Sequence, residues 1–301
     1  MEAEQLGWTG SVSSQGLTRY AASTGEDLQP YFDGEKLYGD DFGPEEIARW
    51  FEDEKEAYVA LKQGEHYVYP DRALNIRYGF RFLPERRFPK VLGLGSAYGD
   101  ELLPILQRID EITIVEPSTY YARAELQGVP MTYVPPRMDG SLPFPDGSFD
   151  LATCFGVLHH LPRVTRVVRE LYRCLKPGAY LLTREPIISM GDWRRPRPGT
   201  TKRERGIPLN LFRKIISDAG FQVEHENRCC SSLVAKASTL LNRPVYTSMP
   251  VVLLDEIICS LLPRRTRYHP TTLVEKLMVM NVFYVLRKPL GAEAPGEQPG
   301  P

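Results

Sequence analysis

No two cysteines in this chain have the Cys-x-x-Cys spacing of a metal or redox site. The five present (Cys154, Cys174, Cys229, Cys230 and Cys259) are an odd set for a disulfide framework, so a reducing, cytoplasmic setting is the expectation. The opening MEAEQLGWTGSVSSQG lacks the basic and apolar regions of a secretory signal. Long apolar runs are missing too. The most apolar, PVVLLDEIICSLLP at 250–263, is interrupted by Asp255 and Glu256 and falls short of the roughly 20 residues that span a bilayer. Net charge is nearly absent, at −1, so no overall field draws the chain to nucleic acid or an anionic membrane. His and Cys do not cluster at ligand spacing, and no metal is expected. What remains is a 301-residue chain with 42% hydrophobic and 25% charged residues, enough for one large α/β domain with additions or for two small domains.

Residues 1–24 are small and polar without periodicity and read as a loose arm. From 25 to 88 aromatics are dense. Within this segment GPEEIARWFEDEKEAYVALKQG has Pro44 at a helix start, Ile47, Trp50, Phe51, Tyr58 and Leu61 at helical spacing, and an end near Gly64. From 89 to 289 the pattern changes to strand–helix alternation. Strands are predicted at 90–94, 111–116, 130–134, 149–155, 179–184, 221–226 and 282–288, with helices at 100–109, 118–126, 163–176 and 209–220. That order predicts an α/β fold built on a seven-stranded, mostly parallel, doubly wound (Rossmann-like) sheet. The stretch 230–278 is too long for a bare connection and should carry structure of its own. The Gly- and Pro-rich tail at 290–301 reads as disordered.

KVLGLGSAYGDELLPIL at 90–106 reads as a buried strand, a glycine-bearing turn and a helix start. Glycine lets the backbone turn tightly and approach a ligand, and the unpaired N–H groups of a helix start suit a negatively charged one. Gly93-Leu94-Gly95 followed by Gly99 also fits a dinucleotide turn. In a doubly wound sheet the ligand lies outside the carboxyl ends of the strands, at the switch point. Three further features fall on that rim. Glu116, 17 residues beyond Gly99, can accept hydrogen bonds from both hydroxyls of a ribose. Asp139, in MDGSLPFPDGSFD, can reach an adenine edge, although Asp-Gly is also an ordinary turn pair. CFGVLHHL leaves the fourth strand at the same rim.

Taken together, VLGLGSAYG, IVEP, LPFPDGSFDLATCFGVLHHL and RELYRCLKPGAYLL, about 90–185, resemble the class I S-adenosylmethionine-dependent methyltransferases. The resemblance implies S-adenosylmethionine as cofactor. Its methionine portion would lie at Gly95, Ser96 and Gly99, its ribose at Glu116 and its adenine around Asp139, with Leu94, Pro117, Gly140 and Phe155 beside them. The family usually has an acid where this chain has Gly93 and a glycine where it has Ala97, whose Cβ disfavours a positive φ. A neutral imidazole can take a proton from an attacking hydroxyl, which makes His160 the candidate base and His159 its companion, with a structural or cofactor-side role for at least one of them. The basic run RRPRPGTTKRERG at 194–206 reads first as a solvated loop and second as a clamp for an anionic substrate group. Trp193 beside it stacks or packs. Cys229–Cys230 reads as two small buried residues.

The implied acceptor is a small molecule or glycan, methylated at oxygen, chosen by the 25–88 segment and the 230–278 insertion. A nucleotide-dependent dehydrogenase is a second reading, opposed by LPFPDGSFD and LHHL. A methyltransferase-like binding protein without turnover is a third, motivated by Gly93 and Ala97. Nucleic acid is disfavoured as a partner because the basic run has few interleaved aromatics.

Overall fold

The structure, a computed structural model, describes residues 28–60, 69–193, 195, 197, 200–263 and 267–291, with the backbone alone over 55–60. The arm expected at 1–24, the helix end expected near Gly64 and the tail from 292 onward lie outside the described residues.

An N-terminal segment holds α1 (Gln29–Phe32), α2 (Pro44–Ala60) and α3 (Arg72–Tyr78). At the start of α2, where proline is tolerated, Glu46 Oε2 accepts the Gly43 N–H at 2.9 Å. Ile47 and Trp50 share one face of α2 and are buried with Phe42. Then come β1 (Phe88–Leu94), a 3-10 helix over Asp100–Arg108, β2 (Ile109–Val115), β3 (Glu125–Leu126), β4 (Val129–Val134) and β5 (Phe149–Phe155). The chain continues through α4 (Val164–Cys174), β6 (Leu175–Pro186), α5 (Leu209–Asp218), β7 (Gln222–Ser231), α6 (Ser232–Leu241), α7 (Met249–Leu261) and β8 (Val279–Arg287).

The strands form one sheet in the order β3-β4-β2-β1-β5-β6-β8-β7. From β4 to β6 the neighbours are parallel, β8 runs antiparallel between β6 and β7, and β3 is antiparallel to β4. The mostly parallel, doubly wound expectation holds. Successive residues of β1 face opposite sides, so Leu92 and Leu94 join the apolar cluster with α4 and α5, while Val91 joins the one with α3 and α7. The chain winds from β1 out to β4 and returns beside β1 as β5. The ligand rim is therefore the carboxyl end of β1 and β5.

Two expectations are corrected. The sheet has eight strands rather than seven, and the extra strand, β3, lies in the stretch predicted as a helix at 118–126. That stretch holds only a 3-10 turn over Thr119–Tyr121, after which Gln127 (φ +49°) and Gly128 (φ +88°) turn the chain back as a two-residue hairpin. The helix predicted at 100–109 is 3-10 in type and carries Pro104, which lacks the N–H that an α-helical bond would use. The 230–278 insertion has its own structure in α6 and α7. No described helix is long and apolar enough to cross a membrane.

Candidate functional site

Between β1 and the 3-10 helix the backbone reverses over Gly95–Gly99. A Cβ at Gly95 (φ +64°) would lie 2.6 Å from Val157 Cγ2, so the turn sits directly on the 156–161 segment that leaves β5. Ala97 also adopts a left-handed φ of +46°, which disfavours an L-residue by roughly 1–2 kcal/mol. Its carbonyl accepts the Tyr133 hydroxyl at 2.9 Å, and its N–H donates to Glu116 Oε2 at 3.3 Å. Position 93 has no room for an acid in this turn: a Cβ there would come within 2.4 Å of Ser96 Oγ and 2.7 Å of Ile114 Cδ1.

Glu116 is buried at the end of β2, where desolvation raises its carboxyl pKa against the N–H groups of Ser118 and Ala97. The structure thus brings Gly95, Ser96, Gly99 and Glu116 together. Leu94 and Gly140 line one narrow recess with Val115, Pro136, Met138 and Leu161. Pro117 is exposed beside Glu116. Asp139 is exposed and engaged in turn chemistry. Its Oδ1 accepts from Ser141 N (3.1 Å) and Oγ (2.7 Å), and its Oδ2 meets Arg166 at 2.9 Å. Ser141 holds that carboxyl below its usual range. Phe155 packs against Phe80 and Phe283.

The two histidines have different environments. His159 is buried with Nδ1 2.8 Å from Glu185 Oε2 and Nε2 3.5 Å from Glu204 Oε1. Burial opposes its charge, but the hydrogen bonds to Glu185 and Glu204 outweigh burial and hold it up to about 9. His160 Nδ1 lies 3.0 Å from Glu54 Oε2, and burial followed by the charge of His159 lowers its pKa. Glu54 also accepts from Thr201 Oγ1 at 2.8 Å and Arg203 N at 2.8 Å, and Trp50 Nε1 donates to the His160 carbonyl at 2.6 Å. The ligand atoms of His159, His160 and Glu204 lie within 4.8 Å of one another. Metal ligation requires a neutral imidazole, whereas both nitrogens of His159 already face carboxylates, so the cluster is built to share protons. Glu54, Glu185 and Glu204 were not legible as site residues, because each comes from a distant segment and none sits in a motif.

Since the His159 pKa rises on folding, its contribution to stability is fully present below pH 6.5 and is lost as pH climbs through about 9. A shift of that size corresponds to about 3 kcal/mol. Urea titrations at pH 6.5 and 9.5 should show this loss in the wild type and a flattened difference in His159→Gln; an undiminished difference in the variant rules the assignment out.

The basic run is not a solvated loop over its last residues. Arg205 is fully buried and donates to the carbonyls of Tyr38 (2.9 Å), Leu158 (3.2 Å), His159 (2.7 Å) and Leu161 (2.9 Å), with its guanidinium 4.9 Å over the Trp50 ring. Arg203 and Lys202 meet Asp53 at 2.7 and 2.6 Å. Trp193 stacks on Phe32 and Tyr38 at 4.4 and 5.2 Å. Cys229 and Cys230 are buried free thiols, as expected. A larger cavity of about 700 Å³ lies between α5 and residues 263–278 and shares no residue with the glycine turn.

Residues 92–183 match the family model of a methyltransferase domain. A protein of Mycolicibacterium smegmatis, described as a probable S-adenosylmethionine-dependent methyltransferase, is 27% identical over 138 residues, which cover 44% of this chain and 51% of that one. The uncharacterized methyltransferase YcgJ of Bacillus subtilis is 33% identical over 99 residues, covering 31% and 39%. The chain spans about half the length of the curated relatives it matches. A solved Leishmania major S-adenosylmethionine-dependent methyltransferase, 14% identical, covers 84% of this chain and 88% of its own with a TM-score of 0.51, a likeness of fold.

Proposed function

We propose that this chain, whose residues 92–183 match a methyltransferase domain, is a class I S-adenosylmethionine-dependent methyltransferase with that cofactor and that it methylates a hydroxyl oxygen of a small-molecule or saccharide acceptor. The observation that carries this reading is the Glu54–His160 pair, seated on the segment that abuts Gly95. When bound, the cofactor supplies an electrophilic methyl group on a positively charged sulfur, already a good leaving centre.

The residues present fit such a ligand. The Gly95–Gly99 turn takes its methionine portion, and Glu116 accepts from the ribose hydroxyls. The apolar recess of Leu94, Val115, Pro136, Met138 and Leu161 takes the adenine. Asp139 stands between two lining residues and reaches the base edge only by leaving Ser141 and Arg166. With Glu54 accepting the Nδ1 proton, His160 keeps a lone pair on Nε2, which takes the proton of the acceptor hydroxyl. His159, held as the cation, has no such lone pair. Alignment of the hydroxyl supplies the remainder of the catalysis, and the N-terminal segment packed over His160 through Trp50 shields the site from water.

Calorimetric titration with S-adenosylhomocysteine tests the cofactor site: Glu116→Ala should weaken binding by about tenfold or more, the scale of hydrogen bonds to a charged group. Transfer from methyl-labelled S-adenosylmethionine to a panel of phenols, sugars and amines tests the oxygen reading, which a preference for amines alone overturns.

A further inference from the structure

Residues 231–278 carry an apolar surface that the chemistry above does not use. Of the fourteen large apolar side chains exposed among the described residues, ten lie between Leu233 and Leu277. Helices α6 and α7 both pack on β7, the edge strand of the sheet. On α7, Val252, Asp255 and Cys259 are buried at helical spacing, while Leu253, Leu254, Ile257 and Leu261 face outward, where a surface helix ordinarily carries polar residues. Leu240, near the end of α6, is 87% exposed and Leu273 is 83% exposed. The three stretches are joined at one place. Ser231 donates to Asp255 Oδ1 of α7 through its N–H (2.8 Å) and Oγ (2.6 Å). Ser232 donates its N–H to the Met278 carbonyl at 2.9 Å and accepts the Met278 N–H at 3.1 Å.

Exposed apolar side chains gathered in this way mark a contact surface, and the charges around them select the partner. Lys236, Arg243 and Lys276 are exposed and have no ion-pair partner among the described residues. Every acid of the stretch is already engaged. Asp255 is buried and accepts from the N–H groups of Cys230 and Ser231. Glu256 meets Arg77 at 2.7 Å, and Glu275 accepts the N–H groups of Thr271 and Thr272 at 2.8 and 3.1 Å. The overall charge of −1 hides this local excess of cations. A second copy of the chain would set cations against cations, because a two-fold interface must complement itself. A protein partner is anchored by aromatic and arginine side chains, whereas the ten exposed apolar residues here are all Leu, Ile or Val.

We propose that α6, α7 and residues 273–277 form a docking surface for an anionic lipid bilayer. Leu240, Leu254, Ile257 and Leu261 enter the boundary between headgroups and acyl chains, and Lys236, Arg243 and Lys276 meet the lipid phosphates. Leucine combined with lysine and arginine is the composition of an element that lies in the plane of the interface, and no described helix is long and apolar enough to cross the membrane. The cations add to the apolar attraction only where the bilayer itself is negative. This surface goes beyond the methyl-transfer reading and does not depend on it.

The test is co-sedimentation of the full chain, without cofactor, with vesicles of phosphatidylcholine alone or mixed with phosphatidylglycerol. Binding should be stronger on the mixed vesicles. There Lys236→Gln, Arg243→Gln and Lys276→Gln should each cost about fivefold, and all three together about a hundredfold. Leu254→Ser, Ile257→Ser and Leu261→Ser combined should abolish binding; Leu261→Ser alone should cost about tenfold and keeps the test open if the combined variant does not fold. Leu290→Ser, at an exposed leucine outside the patch, should bind as the wild type does. No binding to the mixed vesicles, equal binding to both kinds, or an equal loss in Leu290→Ser overturns the surface. So does a dimer, seen by sedimentation velocity, that the serine variants dissolve while the wild type leaves the vesicles unbound.

Discussion

Turnover falls by about 10²–10⁴-fold in His160→Ala, the range for loss of a general base, while affinity for S-adenosylhomocysteine is kept. The separation follows from what alanine removes. Trp50 Nε1 bonds to the His160 carbonyl, not to its ring, so the segment stays fastened when the imidazole is deleted. The ring itself is held at Nδ1 by Glu54 and lies tilted against the His159 ring, 4.1 Å between centroids. Glu54→Gln tests the pair from the other side. Without the carboxylate the imidazole loses its fixed tautomer and a source of basicity, so turnover drops although the ring remains. The pH profile carries a sign. His160 acts as a base only when neutral, and burial together with the charge of His159 lowers its pKa. Wild-type rate should therefore hold below pH 6.5 and fall only as pH drops through that lowered value. An acid limb above pH 6.5, or His160→Ala at full rate, removes His160 from the mechanism.

The central strands were legible because each is an apolar run bounded by turn residues, and Val91–Leu94 and Leu151–Cys154 are buried on both faces. Glu116 was legible as well, since its distance from Gly99 is set by one helix and one strand. The extra strand β3 escaped because two residues are too few to show a strand period, while the deciding signal was the Gln127-Gly128 turn. The site was legible only where it is local. Its acids at 54, 185 and 204 converge from three segments, and no motif places a carboxylate beside a histidine more than a hundred residues away. Asp139 shows the converse: a motif position whose short-range turn bonds to Ser141 are what the fold displays.

Arg205→Met should lower the unfolding free energy by more than about 3 kcal/mol, a large cost for a single position, because its guanidinium is fully buried. A count of charges in 194–206 treats all its basic residues alike, yet Arg205 and Arg195 differ completely. Arg195 is exposed, 3.9 Å from Asp192, and its replacement by methionine should change stability by less than about 0.5 kcal/mol. Arg205 reaches four carbonyls on two separate segments, Tyr38 on one side and Leu158, His159 and Leu161 on the other. Methionine fills much of the same volume but removes the side-chain donors, leaving His159 only the backbone N–H of residue 205 and Leu158 only that of Leu161. It also removes one of the fastenings between the N-terminal segment and the turn that carries both histidines, leaving Trp50 Nε1 on the His160 carbonyl, so Glu54 meets His160 at a less fixed distance. Urea midpoints for the two variants provide the measurement, and coincident midpoints would falsify the fastening role. Turnover gives the second readout. Arg205→Met should lose part of the rate that Glu54→Gln loses even at temperatures where it remains folded, because the dyad depends on two segments that this guanidinium helps to hold together.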